Sequence, residues 1–171
     1  VYGVTKLANE LAARSYTSNT GLDFRGLRIC TVFGHGRLTG RSAAASAMIS
    51  SAAVGEAYRC PVIAKQTSPY IYVEDVADLM VRSVFSEKLQ RDVYCVGSHR
   101  ASLGEIAEMV RDYVPDADIT FAPNAIGFPQ INRMSGVRLV ADLGYTMPSL
   151  SDRVRDQINI ARGERQMPLI S

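Results

Sequence analysis

Apolar residues recur along the chain with two different periods. Val4, Leu7, Ala8, Leu11 and Ala12 fall at three- and four-residue steps, which predicts an amphipathic helix from residue 4 to about residue 18, closed near Gly21. Over residues 24–33 the pattern changes. Leu27, Ile29, Cys30, Val32 and Phe33 stand close together with few charges between them, as in a parallel strand buried on both faces. Glycines 34, 36 and 40 then predict a loop, and the Ala-rich run 42–54 predicts a helix. Residues 69–73 read as a short strand feeding a helix that reaches about Phe85, with Glu74 and Asp75 in its first turn, where acids complement the helix dipole. A further strand is expected at 92–96. Ser102-Leu103-Gly104-Glu105 then matches a capping box, with Ile106, Met109, Val110 and Tyr113 lining the helix behind it. A strand at 118–121 and helices at 137–143 and 151–162 complete the pattern. Strand alternates with helix throughout, which implies an α/β fold with mainly parallel pairing. The stretch 122–136, with Pro123, Pro129 and two glycines, is the longest irregular one. Such a run serves either as a substrate-facing loop or as a surface crossing.

Composition narrows the class. With 171 residues, 47% of them hydrophobic, the chain can bury the core of one ordinary domain, which excludes disorder. Nineteen Lys and Arg against seventeen Asp and Glu leave a net charge of +2, far from the basic excess of a phosphate-backbone binder, so nucleic acid is excluded as the main partner. The longest uncharged stretch, 42–55, falls short of the roughly 20 apolar residues that span a bilayer, so no membrane partner is expected. Cys30, Cys60 and Cys95 are odd in number, form no Cys-x-x-Cys pair and lie in apolar stretches. Buried thiols in a reducing, cytoplasmic compartment are the expectation, with no metal site. The first residue is Val1 and no signal-peptide pattern follows, so an internal fragment or a trimmed chain is expected.

The residues richest in chemistry come first. Tyr2 and Lys6 stand four apart on the opening helix, so both side chains project from one face. A phenol ionises near pH 10, too high for a base at neutrality, but a neighbouring ammonium favours the phenolate. Such a pair can exchange a proton with a substrate hydroxyl as hydride leaves the same carbon, and a lysine can also hold a cofactor ribose. Tyr-x-x-x-Lys occurs by chance on many exposed helices, so context decides.

That context is a series of segments: Tyr2-Gly3-Val4-Thr5-Lys6-Leu7-Ala8-Asn9-Glu10, then Leu27-Arg28 leading into Val32-Phe33-Gly34, then Tyr70-Ile71-Tyr72-Val73-Glu74-Asp75-Val76-Ala77. Val93-Tyr94-Cys95-Val96-Gly97-Ser98 follows, and Arg138-Leu139 with Asp142-Leu143-Gly144-Tyr145 near the end. In order and spacing these resemble the NAD-dependent epimerase/dehydratase family, the extended short-chain dehydrogenases/reductases. The resemblance covers essentially the whole chain. It implies part of a Rossmann-type doubly wound parallel sheet, with residues 1–41 as the C-terminal part of the dinucleotide-binding domain. Residues 42–171 would then form mainly a smaller α/β substrate-binding region, one or two of whose segments return to the core sheet. It further implies bound NAD or NADP, with Tyr2 as acid/base and Lys6 tuning it and gripping the nicotinamide ribose. Cys30, Thr31 and Val32 would lie beside the nicotinamide. Thr31, His35, Arg37 and Arg41 are candidates for touching an anionic substrate, and a homodimer formed through the Tyr2 helix is the expected assembly.

Two departures qualify the resemblance. The family's Gly-rich phosphate turn, ribose-binding acid and catalytic Ser or Thr lie upstream of its Tyr, so the 171 residues alone are expected to be inactive and poorly stable, with Ile29 and Val32 partly uncovered. Many nucleotide-sugar members carry an Arg just before the Tyr-Ile-Tyr-Val strand, where Ser68 and Pro69 stand here. Losing that bidentate partner moves weight from sugars and nucleotide sugars toward a small hydroxy compound. Ser68-Pro69 and Tyr58-Arg59-Cys60 are similar to the L-threonine 3-dehydrogenase branch. A hydride-transfer enzyme is therefore expected, against the alternative of a non-catalytic dinucleotide-binding or scaffold module.

Other motifs read more plainly. Residues 34–40 are spaced Gly-x-Gly-x-x-x-Gly, unlike a pyrophosphate cradle, and suit a loop over the substrate pocket. His99 and Arg100 are expected in a polar loop, Glu74 and Asp75 in a helix cap, Tyr70 and Tyr72 in strand packing, and Met48, Met80 and Met109 in the core.

Overall fold

A computed structural model describes residues 1–171 apart from the side chain of Arg41. It contains α1 (Tyr2–Thr20), β1 (Gly26–Ile29), β2 (Thr31–Phe33), α2 (Ala44–Ala53), β3 (Tyr58–Cys60) and β4 (Thr67–Tyr72). After these come α3 (Val73–Phe85), β5 (Val93–Val96), β6 (His99–Ser102), α4 (Leu103–Tyr113), β7 (Ile119–Phe121), α5 (Val137–Leu143) and α6 (Leu150–Glu164). The α/β reading holds. β1 pairs with β5, β2 with β4, and β3 with β7, all parallel; β6 is antiparallel to β4.

The expected single strand over 24–33 is in fact two. Gly26 to Ile29 lies in register with Val93 to Val96, whereas Thr31 to Phe33 lies in register with Tyr70 to Tyr72. Cys30 is the hinge, its N–H donating to Val96 O at 3.3 Å. One continuous apolar run thus changes partners midway, and hydropathy alone carries no mark of the change. Nor are these strands buried on both faces: Ile29 of β1 and Val32 of β2 are only half-buried, and Arg28 is exposed. β3 and β6 were not expected. Both are short, and β6 carries His99 and Arg100, placed by hydropathy in a polar loop.

Two cores result. One gathers Phe33, Met48, Ile49, Cys60, Tyr72, Leu103, Ile106, Val154 and Ile158 among α2, α4 and α6. The other gathers Ile71, Val76, Leu79, Tyr94, Val96 and Leu139 among β1, β5, α3 and α5. The Ser102 capping box forms as read, with Ser102 Oγ accepting from Glu105 N–H and the Glu105 carboxylate accepting from Ser102 N–H. Tyr70 and Tyr72 pack against Phe33, and Met48 is core, but Met80 faces outward on α3. Of the thiols only Cys60 is fully buried; Cys30 and Cys95 are half-buried.

Asp75 does more than cap. α3 has no side-chain cap; the Asp75 carboxylate, 2% exposed, is gripped by the Arg153 guanidinium from α6 and accepts from Tyr145 Oη at 2.9 Å. Arg153 also stacks over Tyr72 at 5.4 Å, so this ion pair joins the two cores.

Candidate functional site

α1 has no buried residue along its 19 positions, and its cap Gly21 takes the left-handed conformation that ends the helix. Its apolar stripe of Val4, Leu7 and Leu11 stays exposed. Tyr2, Lys6, Glu10 and Arg14 form a row at four-residue steps, one above another on a helix; Glu10 and Arg14 reach across to the sheet, while Lys6 and Tyr2, the latter 77% exposed, do not. The Lys6 ammonium lies 5.1 Å from the centroid of the Tyr2 ring. Two turns on, Arg28 of β1 holds the Glu10 carboxylate in a fork, Nε to Oε1 at 2.8 Å and Nη2 to Oε2 at 2.7 Å. That bond keeps the Glu10 carboxyl below the usual carboxylate range. Arg14 pairs at 3.3 Å with Asp92, whose carbonyl accepts from Gly26 N–H at the start of β1.

These two ion pairs fix how the helix lies along the strand. Arg14 is level with Gly26 and Glu10 with Arg28, so α1 runs antiparallel to β1. Four helical residues advance about 6 Å and two strand residues about 6.6 Å. Lys6 and Tyr2 are the next two steps of the same row in the direction of Cys30, and both are exposed, Tyr2 at 77%.

Cys30, Thr31 and Val32 line a cavity of about 270 Å³, together with Ile29, Arg37, Ser42, Pro69, Gln130, Ile131 and Met134. Burial in this wall pushes the Cys30 thiol up to about 11. Gln130 comes from the irregular 122–136 stretch; its Nε2 donates to Thr31 Oγ1, while its buried Oε1 meets no donor. Arg37 reaches the wall with Nη1 on Val32 O at 2.5 Å and Nη2 on Ser42 Oγ at 2.6 Å. The loop is pressed close at Gly97, where a Cβ would run into the backbone carbonyl of Met134.

Of the residues singled out by sequence, Cys30, Thr31, Val32 and Arg37 meet in this cavity, and Tyr2 and Lys6 lie outside its lining. His35 is engaged elsewhere, its Nδ1 3.0 Å from Ser50 Oγ and its Nε2 2.9 Å from Glu164. The Arg41 side chain lies outside the described residues. Gln130, Ile131 and Met134 were missed individually, although the stretch that carries them stood out by its length.

In the 34–40 loop the first glycine is engaged in packing. Gly34 N–H donates to Ser46 Oγ at 3.2 Å, and a Cβ at Gly34 would come within 2.6 Å of Val73, so this glycine serves close packing. Ser68 is buried in β4 opposite Ala101, with no cation in its place. No cluster of metal-ligating side chains forms, and no helix is long and apolar enough to cross a membrane, among the described residues.

A sequence model described as the NAD dependent epimerase/dehydratase family matches residues 1–97. Three solved structures show the same fold. An L-threonine dehydrogenase from Cupriavidus necator (apo form) is 26% identical with a TM-score of 0.77, over 92% of this chain and 60% of that one. An L-threonine dehydrogenase from Clostridium difficile is 21% identical with a TM-score of 0.80, over 95% and 54%. A UDP-glucose 4-epimerase from Thermus thermophilus, in complex with NAD, is 22% identical with a TM-score of 0.76, over 95% and 54%. The chain thus spans little more than half the length of the structures it matches.

Proposed function

Since the chain belongs to the NAD dependent epimerase/dehydratase family, we propose that it carries the acid/base pair and the nicotinamide-side wall of an oxidoreductase acting on a carbinol carbon. The observation that supports this most is the alignment of α1 with β1 through Glu10–Arg28 and Arg14–Asp92, which runs the helix back toward the strand end that carries the Cys30 to Val32 wall. The cavity suits the nicotinamide end of NAD or NADP: it is lined by Cys30, Thr31 and Val32, and the Gln130 oxygen lacks a donor there. Lys6 would hold the ribose. When bound, the nicotinamide supplies the hydride acceptor. Tyr2 Oη takes the substrate hydroxyl proton while the C–H electron pair leaves as hydride, and the carbinol becomes a carbonyl. The Lys6 ammonium steadies the phenolate that does this. Thr31 and Arg37 would face the substrate, whereas His35 is committed to Ser50 and Glu164.

The buried Ser68 favours a small hydroxy compound, as the name L-threonine dehydrogenase suggests for two of the similar structures, over a nucleotide sugar. Residues 1–41 would belong to the dinucleotide part and 42–171 mainly to the substrate part, with α3, β5 and α5 returning to the first, as the two cores suggest. The exposed Val4, Leu7 and Leu11 stripe suits a homodimer, and three free thiols suit the cytoplasm. The spacing of glycines 34, 36 and 40 does not match a pyrophosphate-binding turn and Gly34 N–H is spent on Ser46, so the 171 residues alone are proposed not to turn over. The test is nicotinamide reduction by the full-length protein with L-threonine, UDP-glucose and a panel of hydroxy acids, beside Tyr2→Phe. Turnover of one of them, lost in the variant, is expected. Full rate in Tyr2→Phe, or no turnover by a protein that binds the dinucleotide, overturns the proposal.

A further inference from the structure

We propose that the cavity between the β5 to β6 turn and residues 133–136 is an oxyanion subsite, where Arg100 and Arg133 take a carboxylate or phosphate group of the compound oxidised beside Cys30; the link to that compound rests on the function proposed above. The cavity measures about 540 Å³ and is lined by Ser98, His99 and Arg100 on one side and by Arg133, Met134 and Ser135 on the other. It adjoins the Cys30 cavity, since Pro69 and Met134 line both. The turn joins them as well, because the Ser98 backbone bonds the Cys30 thiol. A ligand with its carbinol at Cys30 therefore needs to reach only past Met134, an unbranched and flexible side chain, to place a second group here.

Charge gives that group its sign. Two arginines and a histidine line the cavity, and no Asp or Glu does, among the described residues. Neither Arg100 nor Arg133 forms an ion pair among those residues. The acid that feels Arg100, Glu105, has its carboxylate held by the N–H and hydroxyl of Ser102. Arg100 Nε donates to Asn132 Oδ1 at 3.0 Å, which fixes one edge of the guanidinium and leaves both Nη groups without a partner among the described residues. His99 is anchored, its Nε2 donating to Pro148 O at 2.6 Å, and shapes the wall. The Ser98 hydroxyl, buried in the same turn, also meets no partner. Arg37, the cation of the neighbouring cavity, is by contrast committed to Val32 O and Ser42 Oγ. A guanidinium offers parallel N–H donors that match a carboxylate or phosphate, and a cleft carrying one sign of charge draws such a group in.

The experiment titrates NAD-loaded, isotope-labelled full-length protein with sodium acetate and, separately, with sodium phosphate at constant ionic strength, following backbone amides by nuclear magnetic resonance. Saturable shifts at residues 97–100 and 133–136 are expected. The tighter anion marks the ligand class, acetate a carboxylic acid and phosphate a phosphate ester. Arg100→Met and Arg133→Met should each weaken that binding about tenfold, the loss of one charge-assisted contact, whereas Arg133→Lys, which keeps the charge, should weaken it less. In turnover, either Met variant should lower kcat/KM for the acid or ester that reacts about tenfold more than for its uncharged amide or alcohol analogue. No saturable shift with either anion, shifts that persist unchanged in both Met variants, or equal losses for charged and uncharged compounds, overturn the proposal. Because anion binding is read without turnover, a protein that binds acetate or phosphate here but oxidises nothing keeps the subsite and refutes the proposed reaction alone.

Discussion

Replacing Arg153 by Met removes the cation that compensates Asp75, a carboxylate 2% exposed between the two cores. Breaking a buried ion pair from one side costs about 3–5 kcal/mol, because the remaining charge stays out of water. The Arg153 side chain keeps 19% exposure, and Tyr145 Oη still donates to Asp75 at 2.9 Å, so the lower end, about 3 kcal/mol, applies. At about 2–4 °C per kcal/mol for a domain of this size, the midpoint of thermal unfolding should fall by about 6–12 °C. Asp75→Asn removes the charge yet leaves an oxygen for Tyr145, and Arg153 keeps its 2.7 Å bond to Asp156, so about 1–2 kcal/mol is expected. The double variant should cost less than the sum by at least about 1 kcal/mol, since the two side chains act as one contact. Urea and thermal unfolding followed by circular dichroism give all three values. A loss below about 1 kcal/mol for Arg153→Met, or strict additivity, would refute the view that this pair ties the cores together.

Other consequences can be checked directly. With its thiol pushed up to about 11 by burial, Cys30 should resist alkylation near neutrality and react faster as pH rises toward that value, as mass spectrometry of the labelled peptides would show; rapid labelling at pH 7 would contradict it. Gly97→Ala should cost about 1–3 kcal/mol by overpacking and should displace Met134, opening the cavity wall, which unfolding midpoints and a structure of the variant would reveal. The Arg28 bond lowers the Glu10 carboxyl, so its hold on α1 is full above the ordinary carboxylate value near 4.5 and is lost as pH falls through the lower folded value. Protection factors of the α1 amides, which correct for the intrinsic slowing of exchange in acid, should therefore fall below that point, and constant protection would count against the tether.

How much of this was legible beforehand follows from the range of each interaction. The Ser102 capping box and the helices are local, set by residues three or four apart, and they form where the spacing placed them. The break at Cys30 was not legible, because Leu27 to Phe33 is one apolar run whose two halves differ only in their partners, 93–96 and 70–72. Asp75 looked like a cap because its partners, Tyr145 and Arg153, stand 70 and 78 residues away. β6 carries two cationic or titratable side chains and is made a strand by pairing with β4, a tertiary cause. Likewise the 122–136 stretch announced itself as a loop, but only the fold brings Gln130 against Thr31.

The central claim is that α1 runs back along the strand, with Lys6 and Tyr2 toward its Cys30 end. A spin label at Lys6→Cys, in a background with the three native cysteines replaced by serine, measures this through paramagnetic broadening of backbone amides. Residues 26 and 32 are separated by about 20 Å along an extended chain. Broadening should be strongest at residues 30–32 and fade toward residues 26 and 93; the opposite gradient would place the helix in another register and turn the acid/base pair away from the Cys30 end of the strand.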